Sequence, residues 1–181
     1  YVDIAACSSP WAKTLRERLG IAAFAIDLDP VGSSYQELPY YRSENATRTL
    51  FSEWEVRGAS LQCAYEMFLG EDDKLLIPEL ARILRPGGKV VILPLYMHTH
   101  YCAYSTPEYY GKGYPDPGAK EYIRMDCGGV PSSRKYDAQR LKERVLDPIQ
   151  QAGLRYRLLA LRNKESLGEG IYCHFILEIE K

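Results

Sequence analysis

The chain has no long basic run. Its 181 residues carry 23 Lys and Arg against 24 Asp and Glu, a net charge of −1, so charge gives no reason to expect a nucleic-acid partner. No apolar stretch approaches the roughly 20 residues that a membrane-spanning helix needs, so no membrane association is expected. No C-x-x-C pair occurs among Cys7, Cys63, Cys102, Cys127 and Cys173. An odd number of widely spaced cysteines argues against a disulfide framework and suits reduced thiols in a cytoplasmic compartment. No signal peptide is visible, and because the first residues already read as strand, a further N-terminal segment is expected outside this sequence. Internal repeats and low-complexity tracts are also missing.

What is present suits one ordinary domain spanning 1–181. A hydrophobic content of 46% with 26% charged residues is normal for a soluble globular chain with a real core. Residues 1–6 read as a buried strand. Ser9 is placed to cap a helix with Pro10 at its first position, Trp11, Leu15 and Leu19 on one face, and Gly20 at its end. Residues 22–28 read as a second strand, Leu38–Arg42 as a short third, Arg57-Gly58 as a turn and 59–65 as a buried fourth. A helix from Asp72 or Asp73 turns Leu75, Leu76, Leu80, Ile83 and Leu84 inward; Pro86-Gly87-Gly88 stops it before a strand at 89–96. This alternation predicts a parallel α/β sheet with right-handed crossovers.

Residues 97–136 break the alternation with seven tyrosines and two histidines. So long a connection in a compact domain is usually functional or holds small elements of its own; it is read as an insertion after strand five, a lid or acceptor region. Asp137 then caps a helix with Leu141, Val145, Ile149 and Ala152 inward, a kink at Pro148 and an end at Gly153. Two antiparallel strands, within 154–162 and 170–180, close the chain.

The first strand runs into a turn of small residues, Ala5-Ala6-Cys7-Ser8-Ser9. About twenty residues on, an apolar run ends in acid at Ile26-Asp27-Leu28-Asp29. A carboxylate beside the mouth of such a turn is how a Rossmann-like sheet holds a nucleoside. With these marks in order, the chain resembles the class I S-adenosylmethionine-dependent methyltransferases. Asp3 to Ser9 looks like the family's first motif and Asp27 like its ribose-binding acid. Glu44-Asn45-Ala46 resembles the motif beside adenine, and Glu79 to Ile92 is similar to the helix, Pro-Gly-Gly turn and fifth strand. The resemblance implies a doubly wound, mostly parallel seven-stranded sheet with an antiparallel C-terminal strand. It implies S-adenosylmethionine as cofactor, with Asp3 toward the methionine end and Ala5, Ala6, Cys7, Asp27, Asn45, Gln62 and Cys63 lining the site. The motif's glycine positions fall on Ala5, Cys7 and Ser9, none of which tolerates a positive φ as glycine does, which predicts a reshaped turn.

Each candidate also has a plain reading. Asp27 suits a turn acid, with Asp29 its close competitor for the ribose; Asn45 suits a turn residue, Cys63 a small core residue and Glu66 a surface acid. His98, His100 and Cys102 alternate and share one face of a continuing strand. Such a trio, with Asp116 or Cys127, offers metal ligands, but no second cluster has ligand spacing and no metal is assigned. His98 and His100 are better placed as a general base taking the proton of an alcohol acceptor. Tyr101, Tyr104, Tyr109, Tyr110, Tyr114 and Tyr122 suit sugar or aromatic acceptors, and Arg134, Lys135 and Tyr136 an anionic acceptor group. The expected function is methyl transfer to a small-molecule or glycan acceptor at oxygen. The alternatives are a catalytically inactive scaffold of the same fold and a metal-dependent hydrolase using the histidine face.

Overall fold

The computed structural model describes residues 1–28, 37–112, 117–126 and 129–181; Asp29, Tyr114, Asp116 and Cys127 lie outside them. Strands β1 (Val2–Ile4), β2 (Phe24–Asp27), β3 (Tyr41–Ser43), β4 (Val56–Gln62) and β5 (Leu84–Leu93) alternate with α1 (Trp11–Leu19) and α2 (Asp72–Ile83). With β9 (Arg155–Ala160) and β10 (Phe175–Glu180) they build one seven-stranded sheet, ordered β3-β2-β1-β4-β5-β10-β9. All pairs from β3 to β5 are parallel, and β10 runs antiparallel to both of its neighbours. The chain leaves β1 toward β2 and β3 and returns to its other side at β4. That reversal opens a crevice at the carboxyl ends of β1 and β4, the place where open α/β sheets bind ligands.

Strand alternation sorts the side chains between the two sheet faces. Val2, Ile4 and Ile26 pack with Leu76, Leu80, Val145 and Ile149 in the larger core, while Ala25 packs with Ala12, Leu15 and Tyr41 beneath α1. α1 begins at Trp11, one residue later than expected, and Ser9 Oγ accepts the Trp11 N–H at 3.2 Å. Only Ala12 and Leu15 of α1 are buried; Trp11 and Leu19, expected inward, are exposed. The helix is 9 residues long and meets a sheet face of small alanines over little more than one turn. Gly20 ends it in the left-handed conformation, φ 64°, as the sequence indicates.

On α2 the buried apolar residues are Leu76, Ile77, Leu80 and Ile83, whereas Leu75 is exposed; it lies about 100° around the helix from Leu76. Arg57-Gly58 lies within β4 and makes no chain reversal. The pairing with β5 shifts there, Val56 opposing Leu84 and Gly58 opposing Lys89, so residues 85–88 loop out of β5 instead of ending it.

Residues 97–136 hold a second sheet, ordered β7-β6-β8, of β6 (Cys102–Ser105), β7 (Lys120–Ile123) and β8 (Ser133–Lys135). Asp137 accepts the Arg140 N–H at 2.7 Å and starts α3 (Ala138–Leu141). A π-helical turn (Lys142–Leu146) joins it to α4 (Asp147–Gln151). Pro148 has no N–H to donate back into the helix, and the wider turn directly before it absorbs that loss. A buried ion cluster ties these parts together. Asp73 at the start of α2 meets Arg134 of β8 at 2.6 Å and Arg144 of the π turn at 2.7 Å, and accepts the Tyr136 hydroxyl at 2.7 Å. Arg134 and Tyr136 are therefore core groups and do not face an acceptor. Among the described residues, no helix is long and apolar enough to cross a membrane.

Candidate functional site

A cavity of ≈ 510 Å³ lies at the carboxyl ends of β1–β4, within the range of small-molecule sites. It is built by the segments that leave each strand: Ala5 and Cys7 after β1, Asp27 at the end of β2, Asn45 after β3, Cys63 and Glu66 after β4. Ala46, Met67, Phe68 and Leu69 add an apolar wall, and Arg124, Val130 and Ser133 reach in from the insertion.

The turn after β1 takes a positive φ at two of its three glycine positions, Ala5 and Cys7, and not at Ser9. Ala5 has φ 53° and Cys7 φ 42°, and after β4 Cys63 has φ 52°. The reshaping expected there does not reach these positions. The surroundings hold them: Cys7 N–H donates to Asp27 Oδ2 at 2.7 Å, Ala6 N–H to the Ile26 carbonyl at 3.0 Å, and the Tyr41 hydroxyl to the Cys7 carbonyl. A left-handed L-residue costs about 1–2 kcal/mol. Ala5→Gly and Cys7→Gly are accordingly expected each to raise stability by about 1 kcal/mol in urea titrations, the glycine gain being partly offset by unfolded-chain entropy.

Asp3 is buried on the α1 face of the sheet, beneath the turn. It accepts from Ser9 Oγ at 2.8 Å, Ser60 Oγ at 2.9 Å and Gln62 Nε2 at 3.3 Å. Ser60 stands opposite Asp3 in the parallel register of β1 and β4, which is why two residues so far apart in sequence meet. Burial raises the Asp3 carboxyl above its usual range, against these three hydrogen bonds. Asp3 braces the turn from below, and neither it, Ala6 nor Gln62 lines the cavity. Asn45 does, and its Oδ1 accepts both the N–H and the Oγ1–H of Thr47 at 2.8 Å. Glu44 holds the same loop by accepting the Leu50 N–H at 3.0 Å.

A second cavity of ≈ 870 Å³ shares Cys63, Glu66 and Arg124 with the first and adds Tyr96, Tyr104, Ile123, Met125, Asp126, Lys135 and Tyr172. Alternation along β8 explains the split of its residues: Ser133 and Lys135 face the cavities, Arg134 and Tyr136 the core. Burial lowers the Lys135 ammonium to about 8, with Glu66 opposing, and burial raises the Glu66 carboxyl, with its own backbone, Lys135 and Arg124 opposing.

No family model matches the chain, and no curated protein matches it in sequence. Solved structures do match. A S-adenosylmethionine-dependent methyltransferase of Methanosarcina mazei superposes with a TM-score of 0.64 at 16% identity, covering 99% of this chain and 91% of that one. One from Mesorhizobium loti gives 0.61 at 13% identity, covering 99% and 89%. The 1,6-didemethyltoxoflavin N1-methyltransferase of Burkholderia thailandensis, solved with S-adenosylhomocysteine, gives 0.58 at 14% identity, covering 99% and 70%. This chain has the class I S-adenosylmethionine-dependent methyltransferase fold.

Within the methyltransferase fold, the expected cofactor residues Ala5, Cys7, Asp27, Asn45 and Cys63 come together around one cavity. Cys63 is an exposed wall residue, unlike the small core residue its plain reading suggested. His98 and His100 line neither cavity. Their rings meet edge to face at 4.5 Å, His100 Nε2 lies 2.9 Å from the Tyr122 hydroxyl, and their nitrogens stand with Cys102 Sγ within 4.8 Å of one another. Sequence reasoning missed Tyr96 and Tyr172. Tyr96 ends the apolar run of the fifth strand, a signal that marks a strand's mouth in this fold; nothing local to Tyr172 signals its place.

Proposed function

We propose that the chain transfers a methyl group from S-adenosylmethionine to oxygen of a small-molecule or glycan acceptor. The observation that carries this is the first cavity, where Ala5 and Cys7 hold glycine-like conformations beside the Asp27 carboxylate. The residues present fit the cofactor. Asp27 supplies acceptor oxygens for the ribose hydroxyls, Asn45 amide N–H groups for an adenine ring nitrogen, and Ala46, Met67, Phe68 and Leu69 an apolar wall for the adenine face. The cofactor supplies an electrophilic methyl carbon on a sulfonium. The chain's own contribution is to position the two reactants and exclude water from between them.

The acceptor belongs in the second cavity, whose shared wall of Cys63, Glu66 and Arg124 adjoins the cofactor space. On this reading residues 97–136 are an acceptor-binding insertion within a single domain, with Lys135 and Tyr104 its contact residues. The histidine pair lies outside both linings. Calorimetric titration with S-adenosylhomocysteine is expected to show saturable one-site binding; a folded sample that binds none refutes the proposal.

A further inference from the structure

Glu66 Oε2 is buried and has no hydrogen-bond partner among the described residues. The residue sits in the short 3₁₀ turn Tyr65–Met67 after β4 and is 8% exposed. A buried acceptor without a donor bears its full desolvation penalty, and here it stands where the two cavities meet. A donor on a ligand would relieve that penalty. Around it the second cavity offers flat aromatic surface from Tyr96, Tyr104 and Tyr172. Tyr104 is already stacked on Tyr122 at 5.4 Å. Lys135 Nζ lies 3.4 Å from the centre of the Tyr96 ring and donates to Ser133 Oγ at 2.9 Å.

Resting on the proposed methyl transfer, we infer that Glu66 accepts the hydroxyl proton of a flat phenolic acceptor bound in the second cavity. The acceptor O–H bond breaks and its proton passes to Glu66 Oε2. The oxygen pair forms the new O–CH₃ bond as the methyl group's bond to sulfur breaks, and that electron pair stays on sulfur. Lys135 offsets the charge that develops on the phenol oxygen.

Three chemical arguments select this class. A carboxylate is a weak base, and a phenol with a pKa near 10 is within its reach far sooner than an unactivated hydroxyl near that of water, 15.7. Lys135 borders the cavity and offsets a developing phenolate, while Arg124 is held by Asp126 at 2.6 Å. Three tyrosine rings match an aromatic face better than an aliphatic chain.

The test compares 4-methylphenol with its methyl ether, 4-methylanisole, and with methyl glucoside. Each is titrated calorimetrically into the protein, Glu66→Leu and Glu66→Gln, with S-adenosylhomocysteine titrated in parallel. The parent protein is expected to bind the phenol about tenfold tighter than the ether. That preference disappears in Glu66→Leu and survives in part in Glu66→Gln, whose carbonyl still accepts; S-adenosylhomocysteine titrated in parallel reports separately on the first cavity, whose wall Glu66 shares. Turnover of 4-methylphenol in Glu66→Gln should fall about 10²-fold or more, the loss expected for a general base. An unchanged preference in Glu66→Leu, no preference in the parent, or tighter binding of methyl glucoside overturns the inference. Failure to bind S-adenosylhomocysteine would sink the methyl-transfer reading, while the phenol titration still reports on Glu66 separately.

Discussion

Asp73→Ala is expected to lower the unfolding free energy by about 3–5 kcal/mol, because it leaves two buried guanidinium groups without their shared counter-charge. Asp73 is fully buried, and Arg134 and Arg144 are 1% and 8% exposed. Their remaining partners are weaker. Arg134 keeps the Gly70 carbonyl at 2.9 Å, and Arg144 keeps Glu71 at 3.0 Å, a carboxylate whose side chain is 57% exposed. The Tyr136 hydroxyl loses its acceptor as well. For a chain of this length the loss corresponds to roughly 10 °C in Tm. Urea and thermal unfolding measure it, and a fall of less than about 1 kcal/mol would mean the cluster is not a brace. Arg134→Met should be milder than Asp73→Ala, since an apolar chain there leaves Asp73 still paired with Arg144. The brace also bears on function: β8 carries Lys135 on its opposite face, so loosening Arg134 displaces the second cavity's wall.

Asp27→Ala is expected to weaken S-adenosylhomocysteine binding roughly 10- to 100-fold, the equivalent of about 1.5–3 kcal/mol for hydrogen bonds to a charged group. Asp27 has two duties. Oδ2 accepts the Cys7 N–H at 2.7 Å, fixing the turn, and the carboxylate faces the cavity. Asp27→Asn keeps an acceptor for the Cys7 amide and should lose less affinity than Asp27→Ala. Stability in urea should fall by about 1.5–3 kcal/mol for the alanine variant, the worth of the Cys7 hydrogen bond to a charged group. Equal affinity in parent and alanine variant would show that the ribose assignment is wrong. A loss of affinity matched by a collapse in stability would instead give Asp27 a purely structural duty. The two variants together with the urea data separate these outcomes.

Local chemistry made the sheet legible. Apolar runs of strand length, Gly20 at a helix end and the Asp137 cap are nearest-neighbour effects; Gly20 and Asp137 stand where the sequence puts them, while strand bounds shift by a few residues, β3 lying at Tyr41–Ser43 against the expected Leu38–Arg42 and β4 at Val56–Gln62 against 59–65. Local pattern misled where burial depends on a distant partner. Leu19 and Leu75 have the right spacing for a core face, but both are exposed. Arg57-Gly58 looks like a turn, and pairing with β5 keeps it in a strand.

The sequence by itself determined the strand order's raw material and the small-residue turn followed by an acid, because periodicity and residue size act over a few positions. Only the tertiary structure decided which side chains meet. Asp3 found Ser60 and Gln62 through strand register, which left it bracing the turn. Arg134 was drawn to Asp73 because a buried charge must be paired. Lys135, next to it, was sent by strand alternation to the cavity and to Glu66. Ala5 and Cys7 show the same division: their side chains alone disfavour a positive φ, and hydrogen bonds from β2 and β3 impose one.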